Sequence, residues 1–90
     1  MIKRVGICGS GIMGSGIAEV AAKAGYEVVL RSRKQATADA TIAGLEKSLA
    51  KQVEKGRLSE EDRDSILARV SGTERISDLA DCDLVIESVV

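Results

Sequence analysis

Six residues near the amino terminus, Gly9-Ser10-Gly11-Ile12-Met13-Gly14, have the types and spacing needed to hold a phosphate with main-chain groups. They follow directly on the apolar stretch Ile2 to Cys8. In such a turn, Gly9 lets the chain leave a strand sharply, in a conformation that a Cβ disfavours. Gly11 lets the main chain approach a pyrophosphate, and Gly14 lets the following helix lie close on the strand. The orphan N–H groups of the first helical turn, around Ile12 and Met13, then point at the anion, and the helix dipole favours its charge. Gly16 and Ala18 extend the small-residue face. Three glycines alone also make an ordinary flexible turn, so the flanking elements must decide between the two readings.

A second constellation follows about 20 residues later, where a dinucleotide cradle of this kind discriminates between cofactors. An NAD site carries Asp or Glu there to accept both ribose hydroxyls. This chain has Arg31-Ser32-Arg33-Lys34. Ser32 is compact and uncharged, and leaves room for a 2′-phosphate. Arg31 and Arg33 are suited to clamp that phosphate, a guanidinium also stacks on adenine, and Lys34 adds a point charge. The loss of the acid coincides with the gain of bases, which predicts a preference for NADP, with NAD also accommodated. The other reading of the three bases is a solvated tip that ends a strand.

The elements that must position these groups are legible around them. Val5-Gly6-Ile7-Cys8 reads as a buried parallel strand. Ile17, Val20, Ala21 and Ala24 form the apolar stripe of a helix, and Gly25 sits where a glycine stop belongs. Glu27 to Leu30 is the second strand. Strand, glycine turn, helix and strand thus fall within about 30 residues, the βαβ context that turns a weak glycine pattern into a Rossmann-type site. The fold class expected is α/β. It is the N-terminal half of a doubly wound parallel sheet, with strand order 3-2-1-4.

Between the second and last strands lies an unusual amount of helix. Ile42, Leu45, Leu49 and Val53 repeat at helical spacing from about Ala36 to Lys55, with Gly56 as a C-terminal cap. Ser59 caps the next helix, whose first turn holds Glu60, Glu61 and Asp62, and Ile66, Leu67 and Val70 give it a narrow apolar side. This predicts a helical hairpin inserted before a third strand, Val70 to Arg75. Ser77 or Asp78 then opens a short turn around Leu79, ahead of an apolar strand from Asp83 to Val90. Opposite the stripe of the long helix, Lys47, Ser48, Lys51 and Lys55 share a face. Ser48 and Lys55 are two turns apart, about 10 Å along the axis. A hydroxyl and an ammonium so spaced suit a phosphate-bearing ligand, and the same residues also read as a solvated lysine face.

Composition sets further bounds. Ninety residues make at most one domain. A net charge of −1 and a single aromatic residue, Tyr26, give no basis for nucleic-acid binding. No apolar run approaches the roughly 20 residues of a membrane span. The first strand begins near residue 2, which leaves no room for a leader and points to the cytoplasm. Cys8 and Cys82 read as small buried residues, with no metal spacing. There is no His, the commonest general acid/base, and nothing else forms a catalytic pair. No catalytic residue and no metal ligand is expected within the chain. Its last apolar strand, of the kind buried between neighbours, would present an unprotected edge if the protein stopped there. We therefore expect residues 1–90 to be the N-terminal part of a larger dinucleotide-binding domain.

The run from Gly9 through Ala18 (Gly-Ser-Gly-Ile-Met-Gly-Ser-Gly-Ile-Ala) resembles the opening of the L-3-hydroxyacyl-CoA dehydrogenases, especially the bacterial 3-hydroxybutyryl-CoA type. So do Glu46-Lys47-Ser48-Leu49, Val53-Glu54-Lys55-Gly56 and Asp83-Leu84-Val85-Ile86-Glu87. The resemblance covers essentially the whole chain. It implies hydride transfer between the C3 carbon of a 3-hydroxyacyl-CoA and a nicotinamide, with a His–Glu acid/base pair that lies beyond these residues. It implies that Ser48 and Lys55 contact coenzyme A, and that Ser88, at the end of the last strand, contacts the cofactor beside a structural Glu87. It also implies a homo-oligomeric parent protein. Ser32 departs from the acid of the common pattern, which puts NAD in doubt and leaves the fold untouched. Two alternatives stand beside this reading. One is a related 3-hydroxyacid dehydrogenase, which shares the glycine pattern but lacks the long helical insert. The other is a non-catalytic nucleotide-binding module.

Overall fold

The computed structural model describes residues 2–9 and 12–87, the side chains of residues 12–15 excepted. The elements run β1 (Arg4–Cys8), α1 (Ile12–Lys23), β2 (Glu27–Arg31), α2 (Gln35–Glu54), α3 (Glu60–Ala68), β3 (Val70–Thr73), a 3₁₀ turn (Ile76–Leu79) and β4 (Leu84–Glu87). All strand pairs are parallel, in the order β3-β2-β1-β4. This is the predicted α/β topology. The helical hairpin lies between β2 and β3, and its second helix is capped by Ser59, whose hydroxyl accepts the Asp62 N–H at 3.0 Å.

Two glycines show how the faces are divided. Gly72 pairs with Leu30, and a Cβ there would lie 2.8 Å from Ile42 Cδ1 and 3.2 Å from Ala38 Cβ, so α2 rests directly on this strand. Gly6 pairs with Val29, on the opposite face, and a Cβ there would lie 2.9 Å from Leu79 Cδ2 and 3.0 Å from Cys82 Sγ. Side chains alternate between faces along a strand. The helices therefore cover the face of Val5, Ile7, Val28 and Leu30, and the 3₁₀ turn closes on the other. The core unites those four residues with Ala18 and Ala22 of α1, Leu45 and Leu49 of α2 and Ile66 of α3. Arg69 ties two helices together, its Nη1 donating to the Ala22 carbonyl in the last turn of α1 at 2.9 Å.

Some local expectations are corrected. Val20 is 69% exposed. The helix meets the sheet through Ala18 and Ala22, and Val20 lies about 200° around the axis from Ala18. Val70 belongs to β3, not to the apolar side of α3, and β3 ends at Thr73, not Arg75. Cys8 and Cys82 are only half-buried. Desolvation raises the Cys82 thiol pKa above its ordinary value.

Asp83 joins the amino terminus to β4. Its Oδ2 accepts the N–H groups of Lys3 at 2.8 Å and Arg4 at 3.0 Å, while its own N–H donates to the Arg4 carbonyl at 2.9 Å. These main-chain bonds, Lys3 first, hold its pKa below the ordinary carboxylate range. A carboxylate with a depressed folded pKa contributes stability that is present above its unfolded value, about 3.9, and lost as pH falls through the folded value. We expect Asp83→Asn to lower the urea midpoint at neutral pH and to flatten its decline below about pH 4. A variant with an unchanged midpoint at neutral pH would contradict this role.

Candidate cofactor and substrate site

The carboxyl ends of the four strands are level. Cys8 pairs with Arg31 on one side and Glu87 on the other, and Arg31 pairs with Thr73. Every loop that could receive a ligand therefore leaves the sheet at one edge. β1 feeds α1 and β2 on one side and borders β4 on the other, so strand order reverses between β1 and β4, where open α/β sheets bind nucleotides.

The glycine turn sits at this reversal. Gly9 has φ +119°, a conformation that L side chains rarely adopt, and its N–H donates to the Arg31 carbonyl at 2.8 Å. The turn is thereby fixed to the tip of β2. α1 begins at Ile12 with no acid in its first turn, so no carboxylate of that turn competes with an incoming anion for the helix N-terminus. Gly14 lies in that first turn, and Ser10, Gly11 and Ser88 lie outside the described residues. A glycine with positive φ just ahead of a helix that has no acid in its first turn fits a pyrophosphate.

The tip of β2 is held from below. The Ser32 N–H donates to the Thr73 carbonyl at 2.9 Å, and Arg31 Nε donates to the Glu74 carbonyl at 3.2 Å. Thr73 in turn is bonded through its hydroxyl to Asp78 and accepts the Arg75 N–H at 3.1 Å. Ser32 is buried at 5% exposure, whereas Arg33 and Lys34 are exposed. Lys34 caps α2 without a side-chain hydrogen bond, and the first turn of α2 also lacks an acid. Gln35 anchors that turn through Nε2, which bonds Asp39 Oδ1 at 2.9 Å and the Gly72 carbonyl at 3.1 Å. Exposed Arg33 and Lys34 thus lie at the N-terminus of α2. Arg31 leans toward β3 instead.

Lys47 and Lys51 on α2, and Lys55 at its C-cap, are exposed as expected. Ser48 is not on their open face. It is half-buried in the seam with α1, where its hydroxyl donates to Glu19 Oε1 at 3.0 Å. The rotation of α2 that buries Leu45 and Leu49 turns Ser48 toward α1. Gln52 Nε2 reaches the same Glu19 oxygen at 3.4 Å. Lys23 Nζ contacts Glu19 Oε2 at 3.3 Å and Gln52 Oε1 at 2.7 Å. Glu19 escapes sequence reading as a site residue. Its one local signal is Lys23, four residues on and at ion-pair spacing. Among the described residues no cluster of three or more His, Cys, Asp or Glu is arranged to hold a metal, and no helix is long and apolar enough to cross a membrane.

Known proteins resemble this chain in sequence and in fold. Residues 4–90 match the model described as 3-hydroxyacyl-CoA dehydrogenase, NAD binding domain. A 3-hydroxybutyryl-CoA dehydrogenase of Bradyrhizobium diazoefficiens is 46% identical over 90 residues, which are 100% of this chain and 31% of that protein. One from Mycobacterium tuberculosis is 45% identical over 89 residues, 99% of this chain and 31% of the relative. The crystal structure of an (S)-3-hydroxybutyryl-CoA dehydrogenase from Ralstonia eutropha superposes with a TM-score of 0.96 at 38% identity, covering 100% of this chain and 32% of that one. The chain thus spans about a third of the length of these relatives. Because the match runs through the helical hairpin as well as the glycine turn, the chain belongs to the 3-hydroxyacyl-CoA dehydrogenase family, within its NAD-binding domain.

Proposed function

We propose that residues 1–90 are the first part of the cofactor domain of an oxidoreductase that prefers NADP. Its substrates are short 3-hydroxyacyl-CoA and 3-ketoacyl-CoA thioesters, the pair 3-hydroxybutyryl-CoA and acetoacetyl-CoA above all. The observation that carries the reading is the glycine turn at the strand-order reversal, on a chain whose relatives bear the name 3-hydroxybutyryl-CoA dehydrogenase. Gly9, Ser10, Gly11, Ile12, Met13, Gly14 and Ser88 would hold the dinucleotide. Arg33 and Lys34, beside Ser32, would hold its 2′-phosphate, and Ser48 and Lys55 the coenzyme A moiety. The bound cofactor supplies the hydride acceptor or donor. This chain supplies binding and orientation, because it has no His and no acid/base pair of its own. We accordingly expect the isolated segment to bind nucleotide without turnover. The complete protein is expected to be a cytoplasmic homo-oligomer.

The test is the oxidation of NADPH by the complete protein in the presence of acetoacetyl-CoA. Turnover supports the reading. Binding of both ligands with no turnover of any 3-ketoacyl-CoA favours a non-catalytic nucleotide-binding module. Lys55→Ala is expected to raise KM for the thioester about tenfold with kcat little changed, the signature of lost uniform binding of an anionic handle. An unchanged KM removes Lys55 from the site.

A further inference from the structure

The clasp between α1 and α2 settles which way the Ser48 hydroxyl faces. An ionised carboxylate only accepts, so the proton in the 3.0 Å Ser48–Glu19 bond is Ser48's own. Serine has one such proton. What Ser48 keeps for anything else is its lone pairs. Glu19 is itself held in place: Gln52 reaches the oxygen that Ser48 uses, Lys23 takes the other, and Lys23 and Gln52 bond each other. Glu19, Lys23 and Gln52 form a closed ring, to which Ser48 is joined at Glu19, and the Glu19 side chain is only 23% exposed. A phosphate placed on Ser48 would meet a hydroxyl with no proton to give and a carboxylate oxygen directly behind it. Among the described residues no carboxylate is paired with exposed Lys51 or Lys55, and Lys55, at the C-cap, lies about 10 Å further along the helix axis.

We propose that Glu19 is a positioning residue that makes Ser48 a hydrogen-bond acceptor, so that Ser48 reads an N–H or O–H of the coenzyme A moiety while the phosphate is read at Lys55. This rests on the coenzyme A reading of the α2 face. It divides the ligand by chemistry: a neutral donor, such as a hydroxyl or an amide, lies over the seam, and an anion lies toward the carboxyl end of α2. Glu19 sits on the helix whose first turn faces the dinucleotide, so the cofactor helix also sets the polarity of the thioester contact.

The experiment is a pair of NMR titrations of the full chain, one with coenzyme A and one with inorganic phosphate. Coenzyme A is expected to shift the amides of Ser48 and Lys55, and phosphate to shift Lys55 but not Ser48. In Glu19→Gln the amide can donate to Ser48, freeing the hydroxyl proton. Coenzyme A affinity should then fall about three- to tenfold, the range of one neutral hydrogen bond, and phosphate should begin to shift Ser48. A purely structural clasp would lose stability without gaining that phosphate response. Ser48→Ala should lose the same factor, and Glu19→Gln added to it should lose no more. If the peak dispersion of Glu19→Gln shows that it does not fold, the unsubstituted chain and Ser48→Ala decide. Phosphate shifting Ser48 in the former, or unchanged coenzyme A affinity in the latter, overturns the proposal. Coenzyme A that shifts neither Ser48 nor Lys55 overturns the coenzyme A reading and this inference with it. Coenzyme A that shifts both, with a Glu19→Gln response identical to the unsubstituted chain, overturns Glu19's role alone.

Discussion

NADP is expected to bind about ten- to a hundredfold more tightly than NAD, and Ser32→Asp to reverse the order. The two cofactors differ only in the 2′-phosphate, so the contrast isolates the tip of β2. There the structure places exposed Arg33 and Lys34 immediately before α2, whose first turn holds no acid and whose cap makes no side-chain hydrogen bond. A charge-assisted bond contributes roughly 1.5–3 kcal/mol, and each 1.4 kcal/mol is about a factor of ten. Asp at position 32 would accept the ribose hydroxyls and repel the phosphate, moving both affinities in opposite directions. Ser32 is held by Thr73 from below and is nearly buried, so the substitution places its carboxylate at a fixed point. Arg33→Ala should weaken NADP about tenfold and leave NAD unchanged, provided the titrations are run at low salt, where exposed charges are least screened. Parallel titrations followed at the Gly9 and Arg33 amides give both numbers. Equal affinities, or a preference for NAD, would show that the basic tip is merely solvated.

The largest effect on stability is expected from Leu49→Ala, at about 2–5 kcal/mol. Leu49 is fully buried and belongs to the hydrophobic core, with Leu45 on α2 and Ile66 on α3. Truncation removes apolar contact within that core, and the neighbours collapse only partly into the gap. A domain of this size is held by only about 5–15 kcal/mol, so the loss is a large share of the total. Urea unfolding checks it through a lowered midpoint at an unchanged slope. Val20→Ala on α1 is the control. Although equally apolar in sequence, Val20 is 69% exposed, and its truncation should stay within about 0.5 kcal/mol of zero. A Leu49→Ala effect no larger than this control would contradict the packing of α2.

The element order, the strand–turn–helix unit around Gly9, the helical hairpin and its Ser59 cap were all legible because each is written in local spacing. Strand alternation, helical repeats, capping serines and glycine stops act over a few residues, and parallel strands joined by helices leave few topologies to choose from. The candidate site could be named in the sequence only as types at positions, glycines suited to a close phosphate and bases where an acid is usual, and its ligand contacts stay a proposal. Tertiary structure decided everything that depends on how far each helix is rotated about its axis. That rotation turned Val20 outward and Ser48 inward, and brought Ser48 to Glu19 from 29 residues away. It is set by which side chains fill the space above Gly72 and beside Ala18, and no spacing within α2 encodes it. The same holds for Asp83, which meets Lys3 across 80 residues only because β1 and β4 are neighbours. Residue types, then, announced the chemistry available to this chain, and long-range packing decided which of those residues face one another and with which atoms.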